Sequence, residues 1–261
     1  MTIKLLNETI EYTSDDTGKE KVIFIHGFGS NGAVINRLKK YNLNFDLVQI
    51  DLPGCGKSTM NKEICSLEYM YEIVVQFIKE TKFNFKFAIS HSMGSDIVLQ
   101  LLKNKLVEKA ILVSPLTYQL HHTKINIKNN ILPTNSEQAK QSLLNLFAHH
   151  SEGFLSIVDR QAQTALNYAN EHRSFFEAMV DNQILNSNYL NQKQFDIFQK
   201  YHKYISIIVG QNDLFTVCEA LEKLAKEHDI NFYTIPDCGH AIFVEKSETT
   251  ANLINNIYND I

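Results

Sequence analysis

The chain has 261 residues, of which 44% are hydrophobic and 21% are charged, which is enough for one large α/β domain with its own core. This composition excludes a disordered or fibrous protein. The net charge of -4 and the lack of a basic run give no electrostatic reason to expect nucleic acid or an anionic membrane as a partner.

Neither a targeting segment nor a cysteine motif stands out. Residues 1–8 lack the basic and apolar regions of a signal peptide, and no stretch approaches the roughly 18 apolar residues of a transmembrane helix. We therefore expect a cytoplasmic protein without an integral membrane segment. No C-x-x-C spacing links the four cysteines, which favours reduced thiols over a zinc or redox site; they are Cys55, Cys65, Cys218 and Cys238.

The first part of the chain alternates between strand and helix patterns. Residues 2–13 predict an antiparallel hairpin at a sheet edge. After it, buried strands are predicted at 22–25, 45–50, 85–89 and 109–113, and helices at 33–41, at 67–79 and from Met93 onward. This order is typical of a mostly parallel sheet with crossover helices on its faces.

Between residues 116 and 202 the strand pattern stops. This segment has helical spacing and a capping-box pattern at Thr134 and Glu137, which predicts an inserted helical cap. The sheet pattern then resumes with a strand at 204–209, a helix at 217–228, a strand at 230–235 and a C-terminal helix. We therefore expect a core of residues 1–115 and 203–261, with a cap inserted at 116–202.

Ser92 lies where a buried strand gives way to a helix, in Ser90-His91-Ser92-Met93-Gly94. In a nucleophile elbow, a strained turn lifts the serine hydroxyl clear of the backbone, so the residues two before and two after must be small. Ser90 and Gly94 meet that requirement. The helix that starts at Met93 would also direct its free N–H groups toward a group bonded to Ser92. A helix N-cap serine is the alternative interpretation.

Two loops at strand ends contain glycines. His26-Gly27-Phe28-Gly29 follows the strand at 22–25, and its glycines either permit a tight turn or let a backbone N–H approach an oxyanion over Ser92. Gly56-Lys57-Ser58 matches the end of a phosphate-binding loop, but that pattern requires glycine where the chain has Asp51. Pro53 also stiffens the segment, so a phosphate-binding loop is not expected.

A serine hydroxyl needs a base to take its proton and a third group to orient that base. Asp213 follows one predicted strand and His240 follows another, and the carboxyl ends of parallel strands meet at one edge of a sheet. Each also has an ordinary explanation, as a turn former and as a neighbour of a helix N-cap. Asp237 is a rival acid in the turn just before His240.

Over nearly the whole chain, these motifs resemble those of the α/β-hydrolase superfamily. Within that superfamily, the resemblance is to serine esterases and lipases that carry a helical cap. The resemblance rests on five segments, namely His26-Gly27-Phe28-Gly29, residues 51–58, residues 90–94, Gly210-x-x-Asp213 and Cys238-Gly239-His240. The chain departs from the family in having Ser90 for the first elbow glycine and Cys55 where the family often has histidine.

The resemblance implies that Ser92 is the nucleophile, His240 the general base and then acid, and Asp213 the orienting carboxylate. It further implies an oxyanion hole formed by the backbone N–H groups of Phe28 and Met93.

These roles predict a serine hydrolase that cleaves a small-molecule carboxylic ester through an acyl-enzyme intermediate, with no cofactor. Alternatives within the same fold are a C–C bond hydrolase, a lyase, a perhydrolase or a thioesterase. A non-catalytic receptor that binds a ligand beneath the cap is the alternative from another class. Two adjacent histidine pairs lack an H-E-x-x-H partner, so no metal site is predicted from His121-His122 or His149-His150.

Overall fold

The apolar segments form a single eight-stranded sheet in the computed structural model, which describes residues 1–260. Its strands are β1 (Thr2–Leu5), β2 (Glu8–Ser14), β3 (Lys21–Ile25), β4 (Asp46–Ile50), β5 (Phe87–His91), β6 (Lys109–Val113), β7 (Ile205–Gly210) and β8 (Asn231–Ile235). Their order across the sheet is β1-β2-β4-β3-β5-β6-β7-β8. The strand that leads into Ser92 is thus near the centre.

Most of the sheet is parallel, as the alternation of strands and helices predicts. β1 and β2 form the expected antiparallel hairpin, and β2 pairs antiparallel with β4. All other neighbours are parallel, and the register places Ile25 at the end of β3 opposite both Ile50 and Ser90. The carboxyl ends of these strands therefore lie side by side. The predicted α/β-hydrolase sheet is confirmed.

Helices cover both faces of the sheet and the connection between β6 and β7. They are α1 (Leu67–Thr81), α2 (Gly94–Lys103), α3 (Ile127–Ile131), α4 (Ser136–Asn145), α5 (Glu152–Leu155), α6 (Val158–Met179), α7 (Ser187–Tyr201), α8 (Cys218–His228), α9 (Ile242–Glu245) and α10 (Ser247–Asn259). The helix predicted over 33–41 is a 3-10 helix, Gly32–Tyr41, and a π-helical turn, Val180–Ile184, follows α6. Within residues 1–260, no helix combines the length and the apolar character needed to cross a membrane.

One predicted helix start is wrong by one residue. The expected capping box of Thr134 and Glu137 does not form, because Asn135 caps α4 by accepting a hydrogen bond from the N–H of Gln138. The Gln138 side chain in turn accepts one from the N–H of Thr134. Asparagine is at least as good an N-cap as threonine, so the helix begins one residue later.

The core lies on both faces of the sheet, since side chains alternate along each strand. In β3, Ile23 and Ile25 belong to the cluster beneath α1 and α2, whereas Val22 and Phe24 face the 3-10 helix and α10. All four side chains are essentially inaccessible to solvent. Strands buried on both faces are typical of a parallel sheet covered by helices.

The helices α3 to α7 form the connection between β6 and β7, as the segment 116–202 predicts. α7 is joined to α2 by an ion pair between the half-buried Lys193 and the buried Asp96, whose carboxylate lies 2.9 Å from Lys193 Nζ. Gln194 donates a second hydrogen bond to the same carboxylate, at 3.1 Å. The division of the chain into a core at 1–115 and 203–261 and a cap at 116–202 stays a prediction.

Gly94 is the residue that lets α2 pack directly on β3. A Cβ atom at this position would lie 2.4 Å from the carbonyl oxygen of Ile25 and 2.6 Å from that of His26. Gly94→Ala should therefore lower the free energy of unfolding by about 1–3 kcal/mol or more, measured by urea denaturation.

Gly153→Ala is the matched control, since a Cβ atom there meets nothing within 4 Å. Because Gly153 lies in α5, this substitution should leave the free energy of unfolding unchanged or raise it by up to about 1 kcal/mol. Equal effects of the two substitutions would contradict the close packing of α2 on β3.

Candidate active site

Ser92 adopts a left-handed backbone conformation between β5 and α2, with a φ of 51°. Its N–H donates to the carbonyl of Val113, and its own carbonyl accepts from the N–H of Leu116, each at 3.0 Å. A non-glycine residue pays roughly 1–2 kcal/mol for this conformation. The hydrogen bonds to the end of β6 and the segment after it hold the turn in place. The predicted strand-turn-helix geometry is present.

The residues around the turn are small, as the elbow requires. A Cβ atom at Gly27 would lie 3.0 Å from the Cβ of Ser92, so glycine leaves room for the serine. Ser90, which replaces a glycine of the family pattern, is fully buried, and its Oγ lies 2.9 Å from that of Ser95. The hydroxyl is therefore satisfied inside the protein, and the substitution leaves the turn intact.

His26 fixes the loop that follows β3. The N–H of Leu52 donates to its Nε2 at 3.0 Å, so the ring proton is on Nδ1, which donates to the carbonyl of Gly27 at 2.7 Å. Burial lowers the pKa of His26 below its ordinary value, which keeps the ring neutral in this tautomer. The histidine thus links the loop after β3 to the loop after β4, and it orients the backbone next to Phe28.

The two candidate oxyanion donors flank Ser92. Within residues 1–260, the backbone N–H groups of Phe28 and Met93 have no hydrogen-bond acceptor. Both residues line one small cavity together with Ser92. Unpaired N–H groups beside a serine are the arrangement that an oxyanion needs.

His240 and Asp213 are joined by a hydrogen bond of 2.8 Å between Nδ1 and Oδ2. Because a carboxylate only accepts, the proton is on Nδ1, and Nε2 is left with a lone pair when the ring is neutral. Both side chains are almost fully buried, and the ring of Phe215 stacks on the imidazole at 4.8 Å. His240 and Ser92 line the same cavity.

Among residues 1–260, no hydrogen bond joins the side chains of Ser92 and His240. Such bonds are often long in the absence of substrate.

Asp213 is held by more than its histidine partner. Its carboxylate also accepts from the N–H groups of Phe215 and Thr216 and from the hydroxyl of Thr216, at 2.8 to 3.0 Å. Burial by itself raises the pKa of Asp213, but the facing imidazole and these hydrogen bonds outweigh it and keep the pKa below its ordinary value. The rival acid, Asp237, is exposed in the turn after β8. Of the two acids, the structure pairs Asp213 with His240.

Two further residues position the His240 loop, and neither is a candidate site residue from sequence alone. His91 Nε2 donates to the carbonyl of His240 at 3.0 Å, and the two rings pack at 4.8 Å. Glu245 accepts from the N–H groups of Gly239 and Ala148, at 2.7 and 2.9 Å. His91 was detectable as part of the elbow motif, whereas Glu245, an isolated glutamate at the end of α9, carries no local signal.

Two unequal cavities meet at Ser92. The larger has a volume of about 600 Å3 and is lined by segments from the sheet loops and from α3, α4 and α6. The smaller has a volume of about 30 Å3, and apart from Ser92 and Thr216 its lining residues are apolar. Phe28, Ile131 and Phe215 separate the two spaces and line both. The larger volume is within the range of about 300–1,000 Å3 found for small-molecule sites.

In the loop after β4, backbone N–H groups are directed to the side chain of Asp51 and not to a phosphate site. The carboxylate of Asp51 accepts from the N–H groups of Gly32 and Lys57, at 2.7 and 3.0 Å. In the same loop Cys55 is buried, and its Sγ lies 3.7 Å from the hydroxyl of Tyr168. Burial raises the pKa of the Cys55 thiol to about 12, so it is not an activated nucleophile.

One of the remaining cysteines, Cys238, lies two residues before His240, with its Sγ 3.9 Å from a carboxylate oxygen of Glu245. All four cysteines are free and buried. The pairs His121-His122 and His149-His150 are exposed. Within residues 1–260, no three or more histidine, cysteine or acidic side chains are grouped as a metal site would require.

Comparison with known proteins identifies the family. The sequence pattern of the alpha/beta hydrolase fold matches residues 21–247. The chain therefore belongs to the α/β-hydrolase family. A protein of Mycoplasma genitalium named "Putative esterase/lipase 2" is 28% identical over 231 residues, which cover 85% of this chain and 83% of that protein.

Solved structures share the fold over the full length of the chain. A membrane phospholipase A described as a bacterial virulence factor has a TM-score of 0.82 at 16% identity, covering 100% of this chain and 85% of that one. A meta-cleavage product hydrolase has a TM-score of 0.79 at 15% identity, covering 100% of this chain and 98% of that one. At these identities the likeness establishes the fold alone.

The buried His91 should make the protein sensitive to acid. Burial, followed by the nearby His240, lowers the pKa of His91 to about 3. The unfolded chain takes up a proton at this side chain below about pH 6.5, whereas the folded protein does not until about pH 3, so acid favours unfolding. His91→Gln should reduce the loss of unfolding free energy between pH 7 and pH 5 by about 2 kcal/mol.

The measurement is urea denaturation at both pH values, with exposed His150→Gln as the matched control. The control should keep the wild-type dependence on pH. An unchanged dependence in His91→Gln would show that His91 is not held neutral by the fold.

Proposed function

We propose that this protein is a serine hydrolase that cleaves carboxylic esters, with Ser92 as nucleophile, His240 as general base and acid, and Asp213 as the carboxylate that orients His240. The observation that carries the proposal is the buried hydrogen bond of 2.8 Å from His240 to Asp213, beside a cavity that Ser92 also lines. This bond leaves Nε2 of His240 available as a base. Membership of the α/β-hydrolase family supports the same roles.

The proposed reaction has two steps. His240 Nε2 takes the proton of the Ser92 hydroxyl as Oγ attacks the carbonyl carbon, and the N–H groups of Phe28 and Met93 stabilise the oxyanion. The tetrahedral intermediate then breaks its bond to the alcohol oxygen, which receives the proton from His240. A water molecule, deprotonated by His240, then attacks the carbonyl carbon of the acyl-enzyme. The resulting intermediate breaks its bond to Ser92 Oγ, which receives the proton from His240, and the carboxylic acid is released. Asp213 stabilises the imidazolium ion that forms in each step.

The choice of an ester rests on sequence relatives rather than on the fold. The Mycoplasma relatives are named as esterases or lipases. The meta-cleavage product hydrolase has the same fold, so the fold alone does not select the bond that is cleaved. We propose the segment 116–202 as a cap that covers the substrate, because residues of α3, α4 and α6 line the larger cavity.

Removing Ser92 or His240 should abolish most of the activity. Ser92→Ala and His240→Ala should each lower kcat for p-nitrophenyl acetate by about 10⁴-fold, because the groups act as one unit. The double variant should be little worse than either single variant. Additive losses would contradict a joint role.

A fluorophosphonate tests the nucleophile directly. Wild type should be modified on Ser92 alone, identified by mass spectrometry of the peptides, and Ser92→Ala should remain unmodified. Labelling at any other residue would contradict the proposal.

The two acids should differ in their contribution to the rate. Asp213→Asn should lower kcat roughly 10⁴-fold, because an amide donor facing His240 favours the wrong tautomer. Asp237→Asn is the matched control and should change kcat by less than about twofold, since Asp237 is exposed in a turn. The comparison requires only ester hydrolysis rates of the two purified variants. A larger loss in Asp237→Asn would move the acid to that position.

A further inference from the structure

The positions of the two cavities relative to His240 distinguish the two halves of an ester. Ser92 lines both cavities, whereas His240 lines only the larger one. Met93, one of the two candidate oxyanion donors, lines only the smaller one. The smaller cavity thus opens at Ser92 beside the two candidate oxyanion donors, and His240 is not among its lining residues.

The chemistry of the tetrahedral intermediate assigns one group to each side. Its carbon carries Ser92 Oγ, the oxyanion, the oxygen of the leaving alcohol and the acyl chain. The leaving oxygen must reach His240 to receive a proton, so the alcohol extends into the cavity that His240 lines. The oxyanion points to the N–H groups of Phe28 and Met93. The acyl chain then extends past these N–H groups into the smaller cavity, which Phe28 and Met93 also line.

The volumes of the two cavities limit the sizes of the acyl group and of the alcohol. A water molecule needs roughly 10–15 Å3 and a methyl or methylene group needs more, so about 30 Å3 holds about one or two such groups. Leu116, Leu120, Ile127 and Ile184 close this space with apolar side chains. The larger cavity, at about 600 Å3, accepts a group of the size of an aromatic ring system or a long alkyl chain.

We infer that the substrate is an ester of a short acyl group, of about two or three carbons, with a bulky and mostly apolar alcohol. This inference rests on the proposed serine hydrolase function. Leu120 is the residue on which a test of acyl length depends, because it lines the smaller cavity and not the larger one. It is only half-buried, so shortening it should leave the fold intact.

The first experiment varies one half of the ester at a time. With a constant leaving group, kcat/KM is measured for p-nitrophenyl acetate, butyrate and octanoate; with a constant acyl group, it is measured for phenyl acetate and 2-naphthyl acetate. Each value is divided by the hydroxide-catalysed rate of the same ester. We expect the octanoate to be at least about tenfold worse than the acetate, and 2-naphthyl acetate to be at least as good as phenyl acetate.

The second experiment changes each cavity separately. Leu120→Ala should enlarge the smaller cavity and raise the octanoate-to-acetate ratio of kcat/KM by about tenfold. Leu146→Ala is the matched control, since Leu146 is also half-buried but lines only the larger cavity. It should keep the wild-type order of acyl lengths. Labelling of Ser92 by a fluorophosphonate shows that each variant is folded.

The outcomes distinguish a failure of the short-acyl inference from a failure of the proposed serine hydrolase function. Octanoate cleaved as well as acetate, with Ser92 still labelled, would overturn the short acyl group and leave the serine hydrolase in place. An unchanged acyl profile in Leu120→Ala would overturn the assignment of the smaller cavity. No labelling and no hydrolysis in wild type would overturn the proposed function, and the inference with it.

Discussion

The left-handed turn at Ser92 is the constraint on which the rest of the site depends. It places a serine at the end of a central strand with its φ at 51°, a conformation that costs roughly 1–2 kcal/mol for a side chain with a Cβ. Hydrogen bonds from Ser92 to Val113 and Leu116 maintain it. The close neighbours are small as a consequence, with Gly27 against the serine and Gly94 against β3. Strain at this point is therefore balanced by packing and hydrogen bonding in the surrounding loops.

The parallel sheet brings distant parts of the sequence to the same edge. Asp213 follows β7 and His240 follows β8, and the close approach of their loops depends on Gly210, where a Cβ would lie 2.4 Å from the carbonyl oxygen of Gly239. Glu245 then joins the His240 loop to Ala148 in the segment between α4 and α5. The candidate base is thus fixed by the sheet on one side and by the helical segment on the other. This double attachment leaves little freedom for the imidazole and preorganises it beside the cavity.

Much of the fold followed from sequence patterns with a direct physical cause. Apolar runs on β3 to β7 indicate strands buried on both faces, and their alternation with helices indicates a parallel sheet. Motifs at strand ends pointed to Ser92, Asp213 and His240 because strand ends converge. The start of α4 was misplaced because threonine and asparagine compete as N-caps. The contributions of Glu245 and of the unequal cavities were not predictable, because they arise from contacts between segments far apart in the sequence.

The central claim is that Ser92 carries the acyl group during turnover. The most direct measurement is rapid acid quenching of wild type during hydrolysis of p-nitrophenyl acetate, followed by mass spectrometry of the digested protein. The account predicts one acetyl group on the peptide that contains Ser92, formed with the initial burst of p-nitrophenol and absent in Ser92→Ala. Turnover with no acetylated intermediate, or with the acetyl group on another residue, would contradict it.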